Sequence, residues 1–443
     1  MMKVLWGIYN LLLPLALLLA APSYVIRMRK RGQAAYRWKE RFGIFDAVVQ
    51  KQLEQTKEAV WIHAVSVGEV KMAEVMIREL RRMRPEQDVV LSTTTITGRR
   101  LAESIGDDRL TVIFHTLDLW WCVKRGFDRI NPALVVLVEQ ELWPNQLWLS
   151  QQRGIPVWLV NARLSDRSRR RFSKFQSVLR PLLGMLNFVG VQSQQEIERL
   201  GACGFPPHKL FNVGSMKFDV VPESDESRQA ELRQLLAQLG WGAEDLVILC
   251  GSTHAPEEEM LLKQCRQLDT AGQTVRVILV PRHAERVHEI KKVCEDAHLA
   301  CVLRSEIADH GGSFVPEVLL VDTTGELSSL YGVADINIIG KSFYGVGGQN
   351  FLEAARFPHP IVVGPEMSNF KDTVTLFKNQ GALIQVEDEH ELLRVLLGLV
   401  TDAALRIETG QKACRVMVAN RGAAKRQAEM LVQYLESDHM QAC

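Results

Sequence analysis

Twice along this chain a series of short apolar runs alternates with amphipathic helical patterns, and no other feature restricts the fold as strongly. Between residues 59 and 214 the runs are AVWIH, DVVLSTT, LTVIFHT, ALVVLVE, PVWLVNA and NFVGVQS. Apolar residues at helical spacing fill the intervals 69–84, 97–105, 117–129 and 165–185. Strands that are apolar at nearly every position are covered on both faces, so the alternation predicts a parallel sheet between two layers of helices. The pattern stops at 215–230, where SMKFDVVPESDESRQAE is polar and without period. It then restarts with LVILCGSTH, VRVILVPRH, EVLLVDTT, INIIGKSF and HPIVVGPE.

A chain of 443 residues exceeds one ordinary core. The expectation is an α/β protein of two Rossmann-like domains, 59–214 and 231–420, joined by the 215–230 linker and followed by a helix and tail over 421–443. Such sheets bind ligands at the carboxyl ends of their strands, which points to a cleft between the two halves, the layout of GT-B glycosyltransferases. Eight scattered cysteines without a CxxC pair offer neither a disulfide framework nor a zinc site. A net charge of +1 argues against a general polyanion or nucleic-acid binder.

The N-terminus differs in kind. VLWGIYNLLLPLALLLAAP is almost free of charge, and Arg27, Arg29, Lys30 and Arg31 follow it. Residues 1–25 are expected to be an uncleaved membrane anchor, because dense positive charge directly downstream opposes export and holds that side in the cytoplasm. A cleaved signal peptide is the competing reading. Within a basic juxtamembrane segment over 26–58, RMRKRGQAAYRWKERFG would then face anionic lipid, each cation adding about 1 kcal/mol.

The turn WIHAVSVGEV carries one carboxylate, Glu69, where a helix should begin, with small residues Ser66 and Gly68 allowing a tight turn. A helix N-terminus favours an ionised carboxylate, so Glu69 reads either as a cap or as a general base. In VLVEQELWPN, Glu139 and Glu141 read as cleft-lining carboxylates or as an acidic cluster before the next helix. In the second half, three strand ends carry polar residues: Ser252, Thr253 and His254; Arg282 and His283; and a glycine turn with Gly345, Gly347 and Gly348 ahead of Asn350 and Glu353. Each alone reads as a cap, a surface pair or a turn. Together on one sheet they suggest a nucleotide-phosphate site. GxGxxG, Walker A, HExxH and GxSxG patterns are missing.

Taken in order, HAVSVGE, ELWPN, NARLSDRS, GSMKFD, GSTH, LVPRH and GGQNFLEAA behind a hydrophobic N-terminus resemble the bacterial 3-deoxy-D-manno-octulosonic acid (Kdo) transferases over essentially the whole chain. The resemblance implies a GT-B fold, CMP-Kdo as donor, a lipid A precursor as acceptor, transfer without a metal or other cofactor, and work at the cytoplasmic face of the inner membrane. It implies Glu69 as catalytic base. It implies CMP contacts at Pro281 and Arg282, at Gly325, Glu326 and Leu327, and at Asn350, Phe351, Leu352 and Glu353, with Lys217 near the donor. Gln349 replaces the family's usual histidine, and Lys341 stands where a glycine is usual. A UDP-sugar transferase acting on another lipid is the alternative within enzymes, and a tethered binding protein without catalysis is the alternative outside them.

Overall fold

The structure, a computed structural model, describes residues 2–30, 37–164, 166–223, 225–268, 273–309, 311–312 and 314–441. Part of the basic segment read as lipid-facing, residues 31–36, lies outside the described residues. The chain divides into two units. Met1–Val220 and Arg421–Cys443 make the first, and Val221–Asn420 makes the second.

The first unit is built on seven parallel strands: β1 (Val60–His63), β2 (Val89–Thr93), β3 (Leu110–Phe114), β4 (Leu134–Val138), β5 (Val157–Ala162), β6 (Phe188–Val191) and β7 (Leu210–Asn212). Their order is β3-β2-β1-β4-β5-β6-β7. Every residue of β1, β2, β4, β5 and β6 is buried, which explains why these strands read as unbroken apolar runs. One layer packs the Val67–Met83 helix onto β1, β2 and β4. The C-terminal helix Ala423–Gln441 lies in that layer too, placing Ala423, Ala424, Leu431 and Leu435 with Val70, Ala73 and Met76.

The second unit repeats the plan with β8 (Leu246–Thr253), β9 (Val275–Pro281), β10 (Cys301–Leu303), β11 (Val318–Leu320), β12 (Ile336–Ile339), β13 (Ile361–Val363) and β14 (Ile384–Gln385), all parallel, in the order β10-β11-β9-β8-β12-β13-β14. In the second sheet the chain doubles back from β10 to β11, and at β1/β4 and at β8/β12 neighbouring strands connect onward in opposite directions. A crevice at the carboxyl ends of such a pair is where open α/β sheets hold ligands. The N-terminal segment forms a helix, Met2–Lys30. Among the described residues no helix is long and apolar enough to cross a membrane.

Candidate functional site

At the first switch point, β1 and β4 pair with His63 opposite Leu137. Two residues beyond, Val65 and Glu139 leave the sheet side by side. The Val67–Met83 helix starts here behind Ser66, whose side chain accepts from the Glu69 N–H while Glu69 accepts from the Ser66 N–H, a reciprocal capping box. The Glu69 carboxylate also accepts from the Val65 N–H. Val65 is held from its other side, because Thr93, Thr94 and Thr95 all donate hydroxyls to its carbonyl at 3.1, 3.4 and 3.2 Å. Gly68 is not what makes the turn. It sits inside the helix, and a Cβ there would meet nothing closer than the Ser66 Oγ at 3.9 Å.

Three carboxylates gather at this edge. Glu139 adopts a left-handed φ of 62° and pairs with Arg163 at 3.2 Å. Glu141 accepts from the Trp143 indole at 3.0 Å. The helix N-terminus was expected to keep Glu69 readily ionised, but burial, reinforced by the Glu139 charge, pushes its pKa above the usual carboxylate value. Burial and the charges of Glu69 and Glu139 push Glu141 up to about 7. A half-buried carboxylate with a raised pKa, held by the backbone N–H groups of Val65 and Ser66, is well matched to taking a proton near neutrality.

Lys217, half-buried, belongs to this first unit. Its segment is held by Asn161, fully buried, whose side chain accepts from the Met216 N–H at 2.9 Å. Asn161 is therefore structural.

In the second unit the ends of β8 and β9 are joined, with the Arg282 N–H donating to the Thr253 carbonyl at 3.0 Å. The Arg282 side chain is exposed. His283 is exposed as well and meets His254 edge to face at 5.7 Å. Ser252 has a left-handed φ of 57°. Thr253 is buried, and its hydroxyl finds no partner among the described residues. Neither caps the following helix. Glu257, fully buried, turns back to accept from His254 N at 3.1 Å, and reaches across the switch point to Lys341 N at 2.6 Å and Phe343 N at 3.0 Å. It shapes the loop after β12, a role the acidic start of the helix did not reveal.

Gly348 (φ 68°) leaves no room for a side chain, since a Cβ would press on Met367. Asn350 accepts from the Leu352 N–H at 3.1 Å and starts the Leu352–Ala355 helix, which carries Glu353. Phe351 and Leu352 are core residues, Phe351 stacking edge-on with Phe377 at 5.0 Å, so a ligand would reach only their backbone. Gly325 (φ 89°) precedes Glu326 and the Leu327–Leu330 helix. Glu326 is committed: Thr323, Arg228 and Arg304 all donate to it. Although burial acts to raise its pKa, the Thr323 hydrogen bond and Arg304 hold it below the usual value. Both helices behind these glycines are single turns, so they present N–H groups with little macrodipole.

A family model described as 3-deoxy-D-manno-octulosonic-acid transferase (kdotransferase) matches residues 36–220. The 3-deoxy-D-manno-octulosonic acid transferase of Bordetella pertussis is 32% identical over 385 residues, covering 85% of this chain and 87% of its own. The transferase of the same name from Haemophilus influenzae is 29% identical over 382 residues, covering 86% of this chain and 88% of its own. Among solved structures, the UDP-GlcNAc 2-epimerase of Neisseria meningitidis bound to UDP-GlcNAc is similar with a TM-score of 0.58 at 13% identity, covering 85% of this chain and 100% of that one. Anabaena HepE in complex with UDP reaches a TM-score of 0.53 at 14% identity over 86% of this chain and 100% of that one. These two likenesses concern the fold, a GT-B-like pair of parallel-sheet α/β domains.

Proposed function

The chain belongs to the 3-deoxy-D-manno-octulosonic acid transferase family, and from that premise we propose that it moves Kdo from CMP-Kdo to a hydroxyl of a lipid A precursor during lipopolysaccharide synthesis. The observation that carries this reading is Glu69: a carboxylate at a sheet switch point, with its pKa raised by burial and flanked by Glu139 and Glu141. Glu69 takes the proton of the acceptor hydroxyl as that oxygen attacks the anomeric carbon of Kdo. CMP leaves from the opposite face, so the configuration inverts. Positive charge develops on the sugar in such a transfer, and neighbouring carboxylates favour it.

The donor belongs to the second unit. The Arg282 guanidinium meets the phosphate, with N–H groups beyond Gly325 and Gly348 as further donors and no metal called on. The cytidine and ribose take the polar groups of Asn350 and Glu353. Pro281, Ser252 and His283 border the same strand ends. Lys217, half-buried in the first unit, is taken as a further contact to the donor.

The N-terminal helix anchors the enzyme to the cytoplasmic face of the inner membrane. Support comes from Leu11, Leu18 and Leu19, which are 70–84% exposed, and from the run of basic residues Arg27, Arg29 and Lys30 in the sequence. An acceptor whose acyl chains stay in the bilayer is then within reach.

The test is incubation of the full chain with a tetra-acylated, phosphorylated glucosamine disaccharide and either CMP-Kdo or UDP-sugars, followed by mass spectrometry. A Kdo-sized mass gain from CMP-Kdo alone is expected. Transfer from a UDP-sugar instead would overturn the donor assignment, and full transfer by Glu69→Gln would overturn the base.

A further inference from the structure

The N-terminal helix makes polar contacts that an anchor does not need. Tyr9 donates its hydroxyl to Asp118 at 2.8 Å, and Asn10 and Asn145 exchange side-chain amide hydrogen bonds at 2.9 Å in both directions. Trp6 stacks on Trp148 at 5.5 Å and meets Trp120 edge-on at 5.2 Å. The opposite face of the helix is bare, with Leu11, Leu12, Leu15, Leu18 and Leu19 all more than half exposed. One stripe is therefore fastened to the first unit and the other is left for lipid.

Asp118 is the centre of the fastening. It is 4% exposed, and it caps a helix to which it does not belong. The Pro144–Gln152 helix opens behind Trp143, which provides no side-chain cap, and Pro144 has no N–H to satisfy. The next two N–H groups, of Asn145 and Gln146, both donate to the Asp118 carboxylate, at 3.0 and 3.1 Å. The Asn145 amide also donates to the Asp118 carbonyl. Directly before this helix lies the loop of Glu139 and Glu141, and Trp143 donates to Glu141 at 3.0 Å. A continuous line of hydrogen bonds and one helical turn runs from Tyr9 to the carboxylates beside Glu69.

We propose that Tyr9 and Asp118 are positioning residues for the transfer: they lock the lipid-facing helix to the N-terminus of the Pro144–Gln152 helix and so set the Glu139–Trp143 loop beside the base. The inference rests on the transferase reading above. It also decides how the helix meets the membrane. With Trp6, Tyr9 and Asn10 held on the protein, the segment cannot run freely across a bilayer. It lies along the surface with its leucine face in the lipid.

The test uses the full chain on phosphatidylethanolamine–phosphatidylglycerol vesicles carrying the tetra-acylated acceptor, with CMP-Kdo supplied. For Tyr9→Phe, which keeps the ring and removes the hydroxyl, kcat should fall ~10-fold while the KM for CMP-Kdo and flotation with the vesicles stay at wild-type values. Asp118→Asn should lower kcat further with the same unchanged donor KM. A merely structural weakening would reduce the folded fraction, seen by circular dichroism, in step with activity. An unchanged kcat in Tyr9→Phe, or a loss matched by lost flotation or lost folding, would overturn the latch. Absence of product from the unmutated chain would instead strike the transferase reading, and the latch with it.

Discussion

The two switch points use their carboxylates in opposite ways. In the first unit Glu69, Glu139 and Glu141 stand together, with only Glu139 paired to a cation, and Glu69 and Glu141 are harder to ionise than usual. In the second unit every acidic residue near the strand ends that is buried has a fixed task. Glu257 accepts from three backbone N–H groups, Glu258 pairs with Arg286 at 2.8 Å, and Glu326 lies between Arg228 and Arg304. With those charges absorbed, Arg282 and His283 remain exposed at the same edge. One sheet plan thus yields an edge whose carboxylates resist ionisation and another that leaves basic side chains exposed. The fold supplies the position, and the partners of each carboxylate decide the chemistry.

Removing the base should break the comparison most severely. Glu69→Gln keeps the cap but cannot take a proton, and kcat should fall ~10²–10⁴-fold while CMP binding by calorimetry is unchanged. Next in size is Arg282→Ala, expected to raise the donor KM by roughly 10–100-fold with little effect on acceptor KM, Arg282→Lys recovering part. Glu257→Ala should show that the second unit's carboxylates are structural. Leaving the Lys341 and Phe343 N–H groups unsatisfied should cost about 2 kcal/mol or more in urea denaturation of that unit. Unchanged stability there would collapse the distinction between the two edges.

Two smaller effects sharpen it. Glu139→Gln removes a negative charge beside Glu69, so the base should ionise more easily and the acid limb of the kcat/KM profile should move to lower pH; a shift upward would contradict the electrostatics. For Glu141, the folded pKa of about 7 exceeds the ordinary 4.5. Below the ordinary value both folded and unfolded chains hold the proton. Between the two values only the folded chain keeps it, so stability falls as pH rises to about 7 and then levels. Glu141→Gln should flatten part of that fall in melting temperature, measured from pH 4.5 to 8.

The long buried strands were legible because each is a nearly unbroken apolar run of four to eight residues. β7, β10 and β14 were not, since two or three edge residues give no pattern to read. Glu69 could be found because its capping box is local in sequence. Asp118 could not: it caps a helix that begins 26 positions later, and only tertiary structure brings them together. The same holds for the three threonines on Val65 and for Glu257 on the loop after β12. The family resemblance pointed to Phe351 and Leu352 by position, yet their side chains belong to the core, because motif positions record where the backbone is needed as well as where a side chain is.

The path of the chain has a consequence for biogenesis. The first unit is interrupted after Val220 and resumes only at Arg421, so its final helix is synthesised after the whole second unit. Leu431 and Leu435 complete the layer that supports the very helix bearing Glu69. The second unit, a continuous stretch, can fold on the ribosome while the first still lacks a wall. A ribosome that stops before reaching that helix would therefore release a chain whose first unit is damaged, beneath Glu69.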